Sequence, residues 1–182
     1  NYLTIIENKE NLGFAKGANR GARHAKGEFL LFLNSDTQVE DAGVRKMVDF
    51  LQNHTDVVVL GGALKNKDGS SQPSSGRFYH FFETLLVLLG FERHGFLRYT
   101  PDTIKQVDWV SGASLMVKKE MFKKLMGFDE GFFMYMEDVD LCYSVKKLGF
   151  STYFYPNLSL LHKERGSSNK TFAIINIYKG IL

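Results

Sequence analysis

The chain has 182 residues, 44% of them hydrophobic and 24% charged, the profile of one globular domain of ordinary size. A formal net charge of +3 and a pI near 8.9 favour an anionic ligand or a membrane surface, and are too weak to argue for nucleic acid. One cysteine, Cys142, excludes an internal disulfide and fits a reducing compartment, and no apolar run reaches the length of a membrane span.

In chain order, residues 2–6 read as a short apolar strand, so the opening residues are not a signal peptide. A Gly- and Ala-rich stretch follows and predicts a helix over 14–25, packed closely on a sheet. Residues 28–34 are continuously apolar, as a central parallel strand covered on both faces would be, and end in Asn34, Ser35, Asp36 and Thr37. The spacing of Val44, Met47, Val48 and Leu51 predicts an amphipathic helix over 41–54. Val57 to Leu60 form the next strand, ending at Gly61 and Gly62. The polar stretch 65–76 reads as a mobile loop, 78–91 as an apolar helix, and 94–105 as irregular. Strand character returns at 107–110 and 113–117, then a short helix at 119–125 and a turn at 127–130. A helix over 137–148 should bury Leu141, Val145 and Leu148. Strands at 152–155 and 158–161 flank Pro156 and Asn157, a polar loop spans 162–168, and 171–182 form an apolar tail.

Four groups of residues carry candidate chemistry. Asp36 follows an apolar strand, where open α/β sheets bind ligands; an acid there can hold a hard divalent cation, or simply cap the next helix. Glu137, Asp138 and Asp140 lie at a helix start, whose dipole stabilises carboxylates and would keep Asp138 ionised. Capping explains one of the three acids better than all of them. His162, with Arg165, Gly166 and Ser168, can hold phosphate oxygens or a metal, or can be an ordinary strand-end loop. Trp109 beside Ser111 and Gly112 suits sugar stacking, although a lone Trp is more often core.

In their order and spacing, these residues resemble the family-2 inverting glycosyltransferases of GT-A fold, particularly rhamnosyltransferase-like bacterial members. The matching segments are Asn11 to Gly21, Leu31 to Thr37, Trp109 to Ala113 with Leu115 and Met116, Gly127 to Glu130, Phe133 to Cys142, Tyr155 with Pro156, and His162. The resemblance implies an α/β fold with a mostly parallel sheet flanked by helices, in a single domain over 1–182. Residues 1–64 would be the remainder of the nucleotide-sugar half, 65–170 the acceptor and catalytic half, and 171–182 the tail. The family opens with a strand, a helix and a second strand that are not found here, so the fold is expected to lack roughly 40–60 opening residues, about one βαβ unit with its flanks.

The resemblance further implies Asp138 as general base and Asp36 with His162 as metal ligands for Mn²⁺ or Mg²⁺. Asn34 stands where the family's metal motif usually has its first Asp. Donor contacts are implied for Asn11, Gly13, Lys16, Asn19, Asn34, Ser35, His162 and Arg165. Acceptor contacts are implied for Trp109, Ser111, Gly112, Tyr135 and Glu137. The expected partners are a nucleotide-diphosphate sugar and a glycan or lipid-linked acceptor hydroxyl, with peripheral membrane contact and no nucleic acid. The expected setting is bacterial polysaccharide or cell-surface glycan synthesis in the cytoplasm, at the inner face of the plasma membrane. Two other readings remain at this point: a non-catalytic module that binds a sugar nucleotide or glycan, and a structural part of a membrane assembly.

Overall fold

In the computed structural model the described residues are 3–39, 43–79 and 97–162. They form α1 (Gly13–His24), β1 (Phe29–Leu33), β2 (Thr37–Val39), α2 (Gly43–Asn53) and β3 (Val57–Lys65). Next come β4 (Ser71–Gln72), β5 (Ser75–Gly76), β6 (Arg98–Tyr99), β7 (Lys105–Val107), β8 (Trp109–Val110) and β9 (Ser114–Lys118). Helices α3 (Lys119–Lys124) and α4 (Glu137–Lys147) precede the final strand β10 (Ser151–His162).

Among the described residues the main sheet has seven strands, ordered β1-β9-β3-β10-β2, with β4 on β3 and β7 on β10. A small second sheet is ordered β6-β5-β8. The architecture is α/β as expected, but the sheet is mixed rather than mostly parallel. Among the described residues only β3 and β10 pair in parallel, and the other neighbours are antiparallel. Strand β1 is likewise not a central parallel strand; it ends the strand order and runs antiparallel to β9. Its unbroken apolar character comes from packing on both faces, which periodicity alone does not distinguish from parallel pairing.

The two faces of the sheet carry separate cores. Ala15 of α1, Phe122 of α3 and Leu141 and Val145 of α4 pack with Leu30, Leu115, Val117 and Phe154. On the opposite face Met47 and Leu51 of α2 pack with Leu60, Met116 and Leu160. Strand β9 shows the alternation directly: Leu115 and Val117 enter one core and Met116 the other. Full burial of Met47 and Leu51 contributes about 1.5–3 kcal/mol each, which seats α2 on that face.

Several sequence expectations change. Residues 3–6 form no strand, and Leu3 and Ile5 are exposed, because no described strand pairs with them. The stretch 65–76 is not simply a loop: it holds β4 and β5, with Gln72, Ser74 and Ser75 buried. Residues 98–99 and 105–107 pair as strands where irregular chain was expected. Leu148 is exposed, and Cys142 takes its place on the buried face of α4. The two strands expected around Pro156 and Asn157 are one, β10, whose pairing with β3 shifts register between Tyr155 and Ser159. The helix expected at 78–91 lies largely outside the described residues, as do Arg165, the loop beyond His162 and the apolar tail.

Candidate active site

The site is built around the turn at 111–113, between β8 and β9. Ser111 N–H donates to Ser74 O at 2.9 Å, and Ser114 N–H returns to Ser111 O at 3.0 Å, which fixes the turn. Gly112 N–H donates to Asp138 Oδ2 at 2.8 Å, across 26 residues of chain. Asp138 Oδ1 accepts Val139 N–H at 2.9 Å at the start of α4. A side chain at 112 would stand 3.1 Å from the Phe14 ring and 3.7 Å from Asp138 Cβ, so glycine lets these groups close on one another.

The chain reaches Asp138 through two consecutive left-handed residues, Tyr135 (φ 70°) and Met136 (φ 72°). Neither is glycine, and such strain collects where surrounding structure must aim a functional group. Phe14 N–H donates to Phe133 O at 2.8 Å, so the start of α1 braces this approach. Asn11 Oδ1 accepts Gly13 N–H at 3.0 Å and closes the same helix end.

Desolvation governs the acids. Burial raises the Asp138 carboxyl above its ordinary range, while Gly112 N–H, the Arg98 charge and Val139 N–H pull it back. The helix start alone would have kept it an unperturbed carboxylate; burial outweighs it. Glu137 is 5% exposed, and its Oε2 meets no hydrogen-bond partner among the described residues. Burial, with the adjacent Asp138 charge, pushes Glu137 up to about 8. Asp140 is also raised by burial and by Asp129.

The second cluster joins the end of β10 to the link between β1 and β2. His162 Nε2 stands 3.3 Å from Asp36 Oδ1 and 3.3 Å from Asn34 Nδ2. Its Nδ1 lies 2.8 Å from Gln72 Oε1, and Gln72 Nε2 in turn donates to Asn66 Oδ1 and to His162 O. A carbonyl acceptor at Nδ1 draws an N–H there, and in the neutral ring the Nε2 lone pair then faces the Asn34 amide and the Asp36 carboxylate. Two electron-pair donors facing across 3.3 Å suit a cation shared between them. Among the described residues no group of three or more His, Cys, Asp or Glu gathers. A cation here would therefore take two such protein ligands and complete its shell elsewhere. Asn34 N–H donates to Ala113 O at 3.4 Å, so this cluster and Asp138 border the same 111–113 turn.

Other expected residues fall in different places. Asn19 is 4% exposed; its amide donates to Phe128 O at 2.8 Å and accepts Phe128 N–H at 2.9 Å, so it anchors a turn rather than facing a ligand. Trp109 is 1% exposed, its Nε1–H donates to Arg77 O at 2.9 Å, and Arg98 lies over the ring 5.4 Å from its centroid. That leaves no free face for sugar stacking. Lys16 and Ser35 are exposed, and Ser111 Oγ accepts Ala113 N–H at 3.3 Å. The sequence reading missed Gln72, Asn66, Phe14 and Arg98. The first two sit in a Gly-, Ser- and Pro-containing stretch with no strand periodicity, so nothing in the pattern marked them.

A mixed sheet flanked by helices, with its polar groups gathered at the turn before β9 and at the β1–β2 link, defines a GT-A type domain. Two solved structures share the fold. GalNAc-T7 with UDP, GalNAc and Mn²⁺ aligns with 96% of this chain and 35% of its own at a TM-score of 0.65 and 17% identity. The mannosyltransferase PcManGT from Pyrobaculum calidifontis, in complex with GDP-Man and Mn²⁺, aligns with 90% of this chain and 40% of its own at 0.57 and 18%. The Glycosyl transferase family 2 profile matches residues 2–140, and the chain belongs to that family.

Among its relatives is the N-acetylglucosaminyl-diphospho-decaprenol L-rhamnosyltransferase of Mycobacterium tuberculosis, 28% identical over 152 residues. That match covers 79% of this chain and 49% of the relative. Rhamnosyltransferase WbbL of Escherichia coli K12 is 23% identical over 153 residues, covering 83% of this chain and 58% of the relative. The chain thus spans about half the length of these curated relatives.

Proposed function

We propose that the whole protein transfers a sugar, with rhamnose favoured by its relatives' names, from a nucleotide-diphosphate donor to a hydroxyl of a lipid-linked or glycan acceptor, inverting the anomeric carbon. The observation that carries this reading is Asp138: a half-buried carboxylate gripped by Gly112 N–H, at the head of a helix, on the turn whose far side meets Asn34. Asp138 takes the proton of the acceptor hydroxyl as the oxygen bonds to the anomeric carbon, and the nucleoside diphosphate departs from the opposite face. Burial raises the carboxyl and makes it a stronger base than an exposed aspartate.

In this reading Asp36 and His162 hold a divalent cation, and Asn34 beside them contacts the donor's diphosphate. When bound, the cation supplies positive charge to offset that gathering on the departing diphosphate. His162 is held for this by Gln72, which fixes the ring and its tautomer. Asn11 and Gly13, at the start of α1 beside the 132–136 segment, line the approach to Asp138. A lipid-linked acceptor is supported by the mycobacterial relative's name, and in this reading the protein works at the cytoplasmic face of the membrane. No helix among the described residues is long and apolar enough to cross one.

Asp138→Asn keeps the volume and loses the base. It should lower transfer by roughly 10²–10⁴-fold while the thermal midpoint and circular dichroism stay near wild type. Transfer within a few-fold of wild type by that variant would remove Asp138 from the role.

A further inference from the structure

We propose that Arg98 is the residue that holds an anionic phosphate group of the acceptor, and so selects phosphate-linked acceptors over neutral ones. The inference rests on the acceptor-side role given above to Asp138. Strand β6 carries Arg98, and β5 carries Gly76 opposite it, with Trp109 of β8 opposite Gly76 in turn. A side chain at Gly76 would stand 2.3 Å from Leu97 O and 2.5 Å from the Trp109 ring, so the three short strands close up only over glycine. Ser75 Oγ–H donates to Tyr99 O at 2.7 Å and ties β6 to this platform. Trp109 is thereby a fixed plane, and the Arg98 guanidinium lies over it at 5.4 Å. Such an arrangement removes water from one face of the cation and holds it without consuming its hydrogen-bond donors.

The charge itself remains unspent. Arg98 is exposed, and no carboxylate pairs with it among the described residues, whereas Lys146 is taken up by Asp108 at 3.3 Å. The Arg98 field nonetheless reaches the Asp138 carboxyl and holds it down. A planar cation with free donors among the described residues, set on Trp109 of the strand that runs into the 111–113 turn where Gly112 holds Asp138, fits a phosphate beside the reacting sugar, in the fork geometry that guanidinium gives.

Binding and transfer test this separately, on the full-length protein. With nucleoside diphosphate and Mn²⁺ saturating the donor side, farnesyl diphosphate is titrated by calorimetry. Arg98→Ala should weaken it about 10-fold, Arg98→Lys less, as expected for losing or blunting one charge-assisted contact. In transfer assays the KM for an N-acetylglucosaminyl-diphospho-prenol acceptor should rise about as much, and kcat/KM for that acceptor relative to octyl N-acetylglucosaminide should fall about 10-fold, because any effect passed through Asp138 is common to both acceptors. Farnesyl diphosphate binding indifferent to Arg98, or equal loss on both acceptors, overturns the proposal. So does weakened binding to phosphatidylglycerol vesicles with farnesyl diphosphate binding intact, which would give Arg98 to the bilayer. Absence of transfer by wild type would defeat the glycosyltransferase reading, and the calorimetric comparison would still decide for or against Arg98.

Discussion

Glu137 and Asp138 are neighbours with different tasks. Asp138 reaches two backbone N–H groups, whereas Glu137 is buried with Oε2 unpartnered. Ionising Glu137 buries a second negative charge beside Asp138. Its folded value near 8 lies above the ordinary 4.5, so the neutral acid is the form the fold favours. The stability that neutral Glu137 contributes is fully present below about pH 4.5 and is lost as pH rises through about 8. Glu137→Gln is neutral throughout and removes that loss. The wild-type thermal midpoint should therefore fall more between pH 6 and pH 9 than the variant's does. Parallel curves for the two proteins would mean that Glu137 is already ionised or solvated in the fold.

At the scale of elements, the approach to Asp138 depends on how α1 holds the chain ahead of α4. Asn19 on α1 satisfies both main-chain groups of Phe128, and its amide also donates to Glu130 at 3.1 Å. Phe128 is itself buried and packs edge-on to Phe14, Phe32 and Phe122. Asn19→Ala leaves a buried N–H and C=O without partners and should cost about 2–4 kcal/mol. A urea midpoint that drops with an unchanged slope would show it; a midpoint within error of wild type would mean the turn finds other partners. Asn19 also shows where sequence reading stops. The helix that carries it was legible from its small residues, and so were α2, β1 and the acid-led start of α4. The partner of Asn19 lies 109 residues away, and nothing in the local pattern separates a ligand contact from a core anchor. The same holds for the Gly112–Asp138 bond, and for Gln72, which orients His162 from a stretch that looks like loop. Strand direction was misjudged because an apolar run reports burial on both faces, not the sense of its neighbours.

For the molecule as a whole, the proposed cation position is a tie between distant parts of the sheet. Strands β1 and β2 stand at opposite ends of the strand order, yet only residues 34–36 separate them in the chain. That link meets the last residue of β10, where His162 pairs with Thr37 across the ladder. Asp36 and His162 offer two ligands, too few to fill a hard cation's shell alone. A diphosphate supplies the missing oxygens, so cation and diphosphate should each raise the other's affinity by the same factor. Mn²⁺ alone and inorganic pyrophosphate alone should shift the thermal midpoint little. Together, at about a hundred times their joint dissociation constant, they should stabilise the fold by about 2.7 kcal/mol. That corresponds to roughly 5–10 °C for a domain of this size. Asp36→Ala should abolish the joint shift while leaving the unliganded midpoint close to wild type. A full shift with Mn²⁺ alone would require further protein ligands, and an unchanged joint shift in Asp36→Ala would place the cation elsewhere.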